Sequence, residues 1–196
     1  MPDKYGVGQD IYCYPDSNVL INNFDIRDEE ELEAAEISLT AARIVSFNPN
    51  FENLSFDYFC EIHKYLFQDL YSWAGTIRTV DISKCDTRFC SARYIEKESL
   101  KLFSQLEMLN FLSDLDRNTF VRGLSNFFCE MNVIHPFREG NGRTLRLFCE
   151  ILAIPAGYEL NWQSVSRNNW LNANIEGYLG NLNPLIEVFD GVVTKT

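Results

Sequence analysis

The sequence predicts a mainly α-helical fold, a helical bundle that carries one short β-hairpin. Apolar residues recur every three to four positions in several segments, and most of these segments follow a capping residue or stop at proline or glycine. Only residues 77–90 are rich in β-forming residues around a turn. The 196 residues include no long low-complexity stretch and no internal repeat. We therefore expect a single domain over residues 1–196.

Capping residues mark where the helices are expected to begin. Asp28 and Glu31 form a capping-box pattern before an apolar stripe that stops at Asn48-Pro49, and Ser55 precedes a second stripe. His63 lies beside the apolar face of that second helix, which indicates a packing role rather than a catalytic one. Further helices are expected at Ile95 to Leu109, Thr119 to Val133, Arg143 to Leu152, from Ser166, and from Asn183-Pro184.

Two segments are expected to be extended. Residues 1–27 hold Gly, Pro, Asp and Asn among scattered Tyr, Leu and Ile, which predicts an N-terminal arm laid over the body. Residues 77–90 place β-formers on both sides of the turn-forming run Ser83-Lys84-Cys85-Asp86, which predicts a hairpin.

The charge, the apolar runs and the cysteines of the chain limit the classes of function that it can have. The chain has 17 basic and 28 acidic residues, a net charge of −11 and a pI near 4.6, which argues against binding to nucleic-acid backbones. The N-terminus lacks an apolar signal core, and no apolar run approaches membrane-spanning length, so a cytoplasmic protein is expected. None of the six cysteines forms a Cys-x-x-Cys pair, which indicates reduced core thiols. A bridge between Cys85 and Cys90, or a metal site there, remains an alternative.

Residues 135–146, His-Pro-Phe-Arg-Glu-Gly-Asn-Gly-Arg-Thr-Leu-Arg, are the most informative run of the chain. Gly140 and Gly142 allow a tight turn that presents bare N–H groups at the start of a helix, where phosphate oxygens bind. Arg143 and Arg146 are three positions apart and share one side of that helix, as a bidentate phosphate grip requires.

Two further residues of this run suit nucleotide chemistry. Glu139 precedes the loop, and a carboxylate beside bound phosphates commonly holds Mg²⁺. His135 is one of only two histidines, and its ordinary pKa near neutrality suits a general base. Each residue alone also fits a solvated helix start with surface charges. Their combination within one short run fits that alternative poorly and favours a nucleoside-triphosphate site.

This run resembles the signature of the Fic family, His-Pro-Phe-x-(Asp/Glu)-Gly-Asn-Gly-Arg-x-x-Arg, at every defined position. The resemblance implies the Fic (Fido) helical bundle and transfer of AMP from ATP onto protein hydroxyls. It implies that His135 is the general base, that Glu139 holds Mg²⁺ and that Phe137 anchors the loop. The phosphate-binding residues would be Gly140, Asn141, Gly142, Arg143 and Arg146, with Asn141 near the α-phosphate. The related Doc kinases carry lysine at the position of Gly142, so glycine favours AMP transfer over phosphoryl transfer.

The wider chain also resembles the small Fic toxins of toxin–antitoxin pairs, in runs such as Tyr71-Ser72-Trp73-Ala74-Gly75. In that family the hairpin is a flap that aligns the target segment by strand pairing, which an unpaired strand edge permits. The alternative is a merely structural hairpin. The target-positioning residues would be Val80, Asp81, Ile82, Ser83, Lys84, Thr87 and Phe89.

The resemblance also predicts how the activity is inhibited and which proteins are modified. Fic proteins are commonly restrained by a helix of pattern (Ser/Thr)-x-x-x-Glu-(Gly/Asn), whose glutamate pairs with the second arginine, here Arg146. The chain has no full match; residues Asn172 to Gly177 come nearest and fit an ordinary helix turn. A separate small antitoxin is therefore expected to supply that helix. The likeliest targets by resemblance are the type II topoisomerases, gyrase and topoisomerase IV. A catalytically silent nucleotide-binding module, or a phosphoryl or other nucleotidyl transferase, is the alternative.

Overall fold

The computed structural model describes residues 11–84 and 87–196. Within them lie seven α-helices and two small antiparallel sheets. The helices are α1 Glu29–Val45, α2 Phe56–Phe67, α3 Ile95–Met108, α4 Arg117–Ile134, α5 Asn141–Ala153, α6 Arg167–Tyr178 and α7 Asn183–Val192. The strands are β1 Ser83–Lys84, β2 Thr87–Arg88, β3 Tyr158–Leu160 and β4 Val193–Lys195, with β1 pairing β2 and β3 pairing β4. The predicted mainly α-helical fold with a short hairpin is confirmed.

The predicted caps determine where the helices begin. The side chains of Asp28, Ser55 and Ser166 each accept a hydrogen bond from a backbone N–H in the first turn of the helix that follows. Pro184 lies in the first turn of α7, as expected. Two starts were predicted two residues late. Helix α4 begins at Arg117 rather than Thr119, after the cap Asp116, and α5 begins at Asn141 because Gly140, with φ +81°, turns the chain directly into the helix.

Helix α4 lies at the centre of the bundle and packs against α3, α5, α6 and α7, while α2 packs against α1 and α5. The core-facing residues of α4 recur at helical spacing and are all buried: Phe120, Leu124, Phe127, Phe128 and Met131. Aromatic rings from four elements meet beside them, with Phe59, Phe103 and Phe148 in mutual contact at ring-centroid distances of 5.4–6.0 Å. This packing holds the two helices that flank the signature loop.

The described part of the N-terminal arm, residues 11–27, lies on the body as predicted. Tyr12, Tyr14 and Leu20 are buried, and the Asn23 N–H donates to the Leu70 carbonyl at 2.8 Å. Residues 1–10 of the predicted arm lie outside the described residues.

The β3–β4 sheet was not predicted. It joins residues after α5 to the C-terminal residues after α7, with Glu159 opposite Thr194. Strands of three residues separated by more than 30 positions leave no periodic signal in a sequence, so only the fold reveals them.

Of the described cysteines, Cys60, Cys90, Cys129 and Cys149 are free thiols. Burial raises the pKa of Cys60 to about 12 and that of Cys129 to about 11, so both stay protonated and unreactive. Cys85 lies outside the described residues, but because Cys90 is a free thiol the alternative bridge between them is not formed. Among the described residues, no helix is long and apolar enough to cross a membrane.

Candidate active site

The signature loop connects α4 to α5 and is shaped by its own residues. The Asn141 side chain accepts from the Phe137 N–H at 2.8 Å and donates to the Phe137 carbonyl at 2.7 Å. Phe137 is fully buried, and its ring stacks on that of His63 at 3.8 Å. Asn141 therefore braces the loop, and a contact between Asn141 and the α-phosphate, which would use the second amide hydrogen, stays a prediction.

His135 is held at the end of α4 in a left-handed conformation, with φ 50° and ψ 64°. Its Nδ1 lies 3.0 Å from the Asn132 carbonyl oxygen, and its ring stacks on Phe89 at 3.8 Å. Because a carbonyl only accepts, Nδ1 carries the proton and Nε2 presents a lone pair. Burial lowers the pKa of His135 to about 4, against the opposing effect of the Asn132 carbonyl. The imidazole is therefore neutral at pH 7 and able to accept a proton at Nε2.

The N-terminus of α5 is suited to binding an anion, because its first N–H groups have no acceptor within the helix. The helix has its first internal bond from the Thr144 N–H to the Gly140 carbonyl at 3.1 Å, so the N–H groups of residues 141–143 precede that bond. A Cβ at Gly140 would lie 2.4 Å from the Phe67 ring, so glycine is required there. A Cβ at Gly142 would meet no atom within 4 Å. The protein leaves that space beside the helix N-terminus open.

The two signature arginines have different surroundings. Arg143 forms an ion pair with Glu36 of α1, and its Nη1 donates to the Thr40 hydroxyl at 3.3 Å. Glu36 also accepts from the Tyr71 hydroxyl at 2.6 Å. Arg146 makes no ion pair with any described residue; burial lowers its pKa first, and the charge of Arg143 lowers it further. The charge of Glu150 opposes these effects without forming an ion pair, so the guanidinium can still take an incoming anion as its charged partner.

Sequence reasoning missed Glu36, because it is one of several glutamates in an acidic helix. Leu32, Glu36 and Thr40 are spaced four apart and are all buried, so they share the inward face of α1. That spacing was the available signal: a carboxylate on a core face needs a charged partner.

Glu139 lies directly before the anion site. Its carboxylate accepts from the Gly140 N–H at 3.1 Å, and its carbonyl accepts from His63 Nε2 at 2.9 Å. The Gly75 N–H donates to Nδ1 of His63 at 2.8 Å, which fixes that tautomer, and burial lowers the pKa of His63 to about 3. His63 is thus a buried packing residue, as predicted, and it also holds the Glu139 backbone, which was not predicted.

The residues present fit Mg²⁺ held by one carboxylate. The described residues include no group of three or more His, Cys, Asp or Glu that could enclose a metal. Mg²⁺ commonly takes one protein carboxylate and shares its remaining positions between water and substrate phosphates. Glu139 beside the α5 N-terminus offers that arrangement.

The predicted flap is present but shorter than expected. Its strands have two residues each, whereas Ile77 to Ile82 were expected to be extended as well. The predicted target-positioning residues are arranged as follows: Ser83 and Lys84 in β1, Thr87 in β2, and Val80, Asp81, Ile82 and Phe89 flanking the strands. Phe89 covers one face of the His135 ring, so the hairpin lies directly on His135.

Arg78 explains why the strands are short, and sequence reasoning missed it. It is 1% exposed, and its guanidinium donates to the carbonyls of His135 at 2.8 Å, Val80 at 2.6 Å and Cys90 at 2.5 Å. Its N–H donates to the Pro136 carbonyl at 2.9 Å. Arg78 and Val80 therefore bond to the loop or to each other rather than to a partner strand, and pairing begins only at Ile82, whose carbonyl accepts from the Phe89 N–H. Burial lowers the pKa of Arg78 to about 10, so it stays charged at pH 7.

The nearest sequence to an inhibitory helix, Asn172 to Gly177, lies in α6. The Glu176 carboxylate accepts from the Asn181 side chain at 2.9 Å, beyond the end of that helix. It makes no ion pair with Arg146 among the described residues, so its observed contact is an ordinary helix-end bond.

Comparison with known proteins agrees with this geometry. Residues 53–153 match the model of the Fic/DOC family. The chain is 40% identical to "Probable protein adenylyltransferase Fic" of Escherichia coli K12 over 195 residues, 100% of this chain and 98% of that protein. It is also 40% identical to "Protein adenylyltransferase VbhT" of Bartonella schoenbuchensis over 182 residues, 91% of this chain but 38% of that longer protein.

Among solved structures, BepC of Bartonella tribocorum with bound AMPPNP superposes with a TM-score of 0.87 at 26% identity, covering 94% of this chain and 97% of that one. The match to the family model and the 40% identity over the whole chain show that this chain belongs to the Fic/DOC family.

Proposed function

We propose that this protein transfers AMP from ATP onto a tyrosine, serine or threonine hydroxyl of a target protein. The observation that carries the proposal is the neutral His135, which feels the charge of Glu139, the residue directly before the Gly140 cap of α5. A base beside a phosphate site is the arrangement that activates a hydroxyl toward phosphorus. The relatives named as protein adenylyltransferases support the choice of AMP.

The proposed reaction is a displacement at the α-phosphorus. The target hydroxyl gives its proton to His135 Nε2 as its oxygen bonds to the α-phosphorus, and the bond from that phosphorus to the bridging oxygen breaks to release diphosphate. The N–H groups at the start of α5, Arg146 and the second edge of Arg143 bind the phosphates and stabilise the departing charge. Mg²⁺, when bound at Glu139, would add positive charge at the phosphates.

The hairpin would align the target. Phe89 on His135 places the flap beside the base, so a segment that pairs with the hairpin brings its side chains toward Nε2. Positioning of this kind is a main source of rate acceleration in phosphorus transfer.

The finer proposal is that the protein is a cytoplasmic bacterial toxin whose targets are the type II topoisomerases, gyrase and topoisomerase IV. Its support is the resemblance of the chain to small Fic toxins. The net charge of −11 directs the interaction toward the protein partner rather than toward DNA.

Control would come from a separate antitoxin that places a glutamate against Arg146. Arg146 makes no ion pair among the described residues, and Glu176, the nearest internal candidate, is bonded to Asn181 instead. Purified protein that is fully active alone and ignores every co-encoded small protein would contradict this.

The test of the main proposal is incubation with Mg²⁺, a bacterial lysate and ATP labelled at the α- or the γ-phosphate, with His135→Ala as the control. Label from α-labelled ATP alone, lost in the variant, is expected. Label only from γ-labelled ATP would mean a kinase, and no labelled protein would mean a silent binding module. Addition of purified gyrase and topoisomerase IV tests the target directly.

A further inference from the structure

One residue on the outer edge of β2 has its main-chain hydrogen bonds made by a side chain. In the hairpin, Lys84 lies opposite Thr87 and Ser83 opposite Arg88, and the Phe89 N–H donates to the Ile82 carbonyl at 3.3 Å. Hydrogen-bonded and non-bonded pairs alternate along antiparallel strands. The N–H and C=O of Arg88 therefore point away from β1.

Tyr178, the last residue of α6, fills this position. The Arg88 N–H donates to the Tyr178 hydroxyl at 3.2 Å, and the hydroxyl donates to the Arg88 carbonyl at 3.2 Å. A residue of an added antiparallel strand would make the same pair of bonds with Arg88. One hydroxyl thus reproduces the main-chain contacts of a partner strand at a single residue.

These two bonds are suited to being replaced. Both lie at the solvent-exposed surface, where a hydrogen bond contributes little net free energy because water can take either side. Helix α6 does not depend on them, because Ala173 and Gly177 bury its inner face and Trp170 packs against Phe128. The hydroxyl can leave Arg88 while α6 stays in place.

The same edge lies beside the base. Phe89, which follows Arg88, stacks on His135, and the Asn132 side chain next to that base donates to Asn174 of α6 at 3.0 Å. A segment running along β2 would pass between the hairpin and α6, next to His135.

We propose that Tyr178 is a displaceable stand-in for the target's main chain, and that an extended segment of the target protein adds to β2 by taking over both bonds of Arg88. This inference rests on the proposed function and assigns β2 as the strand at which the target pairs. In the absence of target, the hydroxyl satisfies the strand edge and so discourages pairing with unrelated chains.

The experiment compares Tyr178→Phe with Tyr94→Phe, a matched control that is 45% exposed and whose hydroxyl makes no hydrogen bond to a described residue. The first measurement is hydrogen exchange of the Arg88 amide without target. We expect faster exchange in Tyr178→Phe alone. The second is transfer of AMP to the purified ATP-binding subunit of gyrase. We expect the KM for that protein to fall about five-fold, the combined effect of losing two weak, exposed hydrogen bonds that compete with the target, with kcat unchanged.

Each outcome decides a separate point. Unchanged exchange would show that the hydroxyl does not protect Arg88 and would overturn the proposal. Faster exchange with an unchanged or raised KM would make Tyr178 a simple anchor of the flap and would also overturn it. If gyrase is not labelled, the KM comparison is made on the protein labelled in lysate. If no protein is labelled, the proposed function fails and the competition fails with it, whereas the exchange result still reports on the contact with Arg88.

Discussion

Replacing Glu36 tests whether α1 holds the first signature arginine in place. The ion pair joins Arg143, whose side chain is 21% exposed, to Glu36, whose side chain is 10% exposed. Tyr71, which is 1% exposed, donates to the other carboxylate oxygen. Glu36→Ala would leave a largely buried guanidinium without its carboxylate and the Tyr71 hydroxyl without its acceptor.

The expected loss in the free energy of unfolding is substantial. Removing one partner of a buried ion pair costs about 3–5 kcal/mol. Because Arg143 retains some contact with water, we expect about 3 kcal/mol for Glu36→Ala, which lowers the melting temperature by roughly 6–12 °C in a domain of this size. Glu36→Gln keeps the shape and one acceptor, so about half that loss is expected.

The assay is urea unfolding followed by circular dichroism, with Glu33→Gln as the matched control. Glu33 lies on the same helix, is exposed and makes no ion pair among the described residues. A double-mutant cycle with Arg143→Met isolates the pair itself. A loss below about 0.5 kcal/mol for Glu36→Ala, equal to that of the control, would refute the argument that this carboxylate holds Arg143, because such a value is typical of a surface pair.

Three other outcomes are expected. Transfer activity should stay constant as the pH falls from 8 to about 5 and then decline with a midpoint near 4. The reason is that burial holds the pKa of His135 at about 4, and only the neutral imidazole accepts a proton. A midpoint near 6.5 in the pH–rate profile of folded protein would mean that the base is solvated. Gly140→Ala should lower the free energy of unfolding in urea by about 3 kcal/mol and Gly157→Ala by about 1 kcal/mol. Both glycines have φ +81°, but only a Cβ at Gly140 would meet an aromatic ring. Equal losses in the two variants would contradict the steric argument. Arg78→Lys should lower the free energy of unfolding by about 3 kcal/mol, because an ammonium group cannot reach all the carbonyls that the planar guanidinium contacts. The control Arg122→Lys, at an exposed position, should change it little. Equal melting temperatures for the two variants would contradict this prediction.

Most of the fold could be predicted from short stretches of the sequence. Asp28, Ser55 and Ser166 were recognisable as caps because a short polar side chain before an apolar stripe satisfies N–H groups that the helix leaves unbonded. The signature loop was recognisable because its chemistry lies within one short run of sequence. Long-range contacts were not recognisable: nothing near Glu36 in the sequence reports that Arg143 lies opposite it.

Two residue types were particularly easy to misjudge. Arg78 precedes a run of β-formers and has the appearance of a surface charge, yet it is fully buried and bonded to carbonyls from three segments. Tyr178 ends a mostly polar helix and gives no local sign that it reaches the hairpin. In each case the partner is a backbone group, and backbone groups are the same at every position, so a sequence cannot mark them.

The buried Arg78 has a mechanical consequence. Its guanidinium joins both ends of the hairpin, through Val80 and Cys90, to the carbonyl of His135. A hairpin tied in this way cannot swing open as a separate lid while His135 stays where it is. Displacement of the hairpin pulls on the same peptide that orients the imidazole, so the position of the hairpin and the orientation of the His135 ring change together.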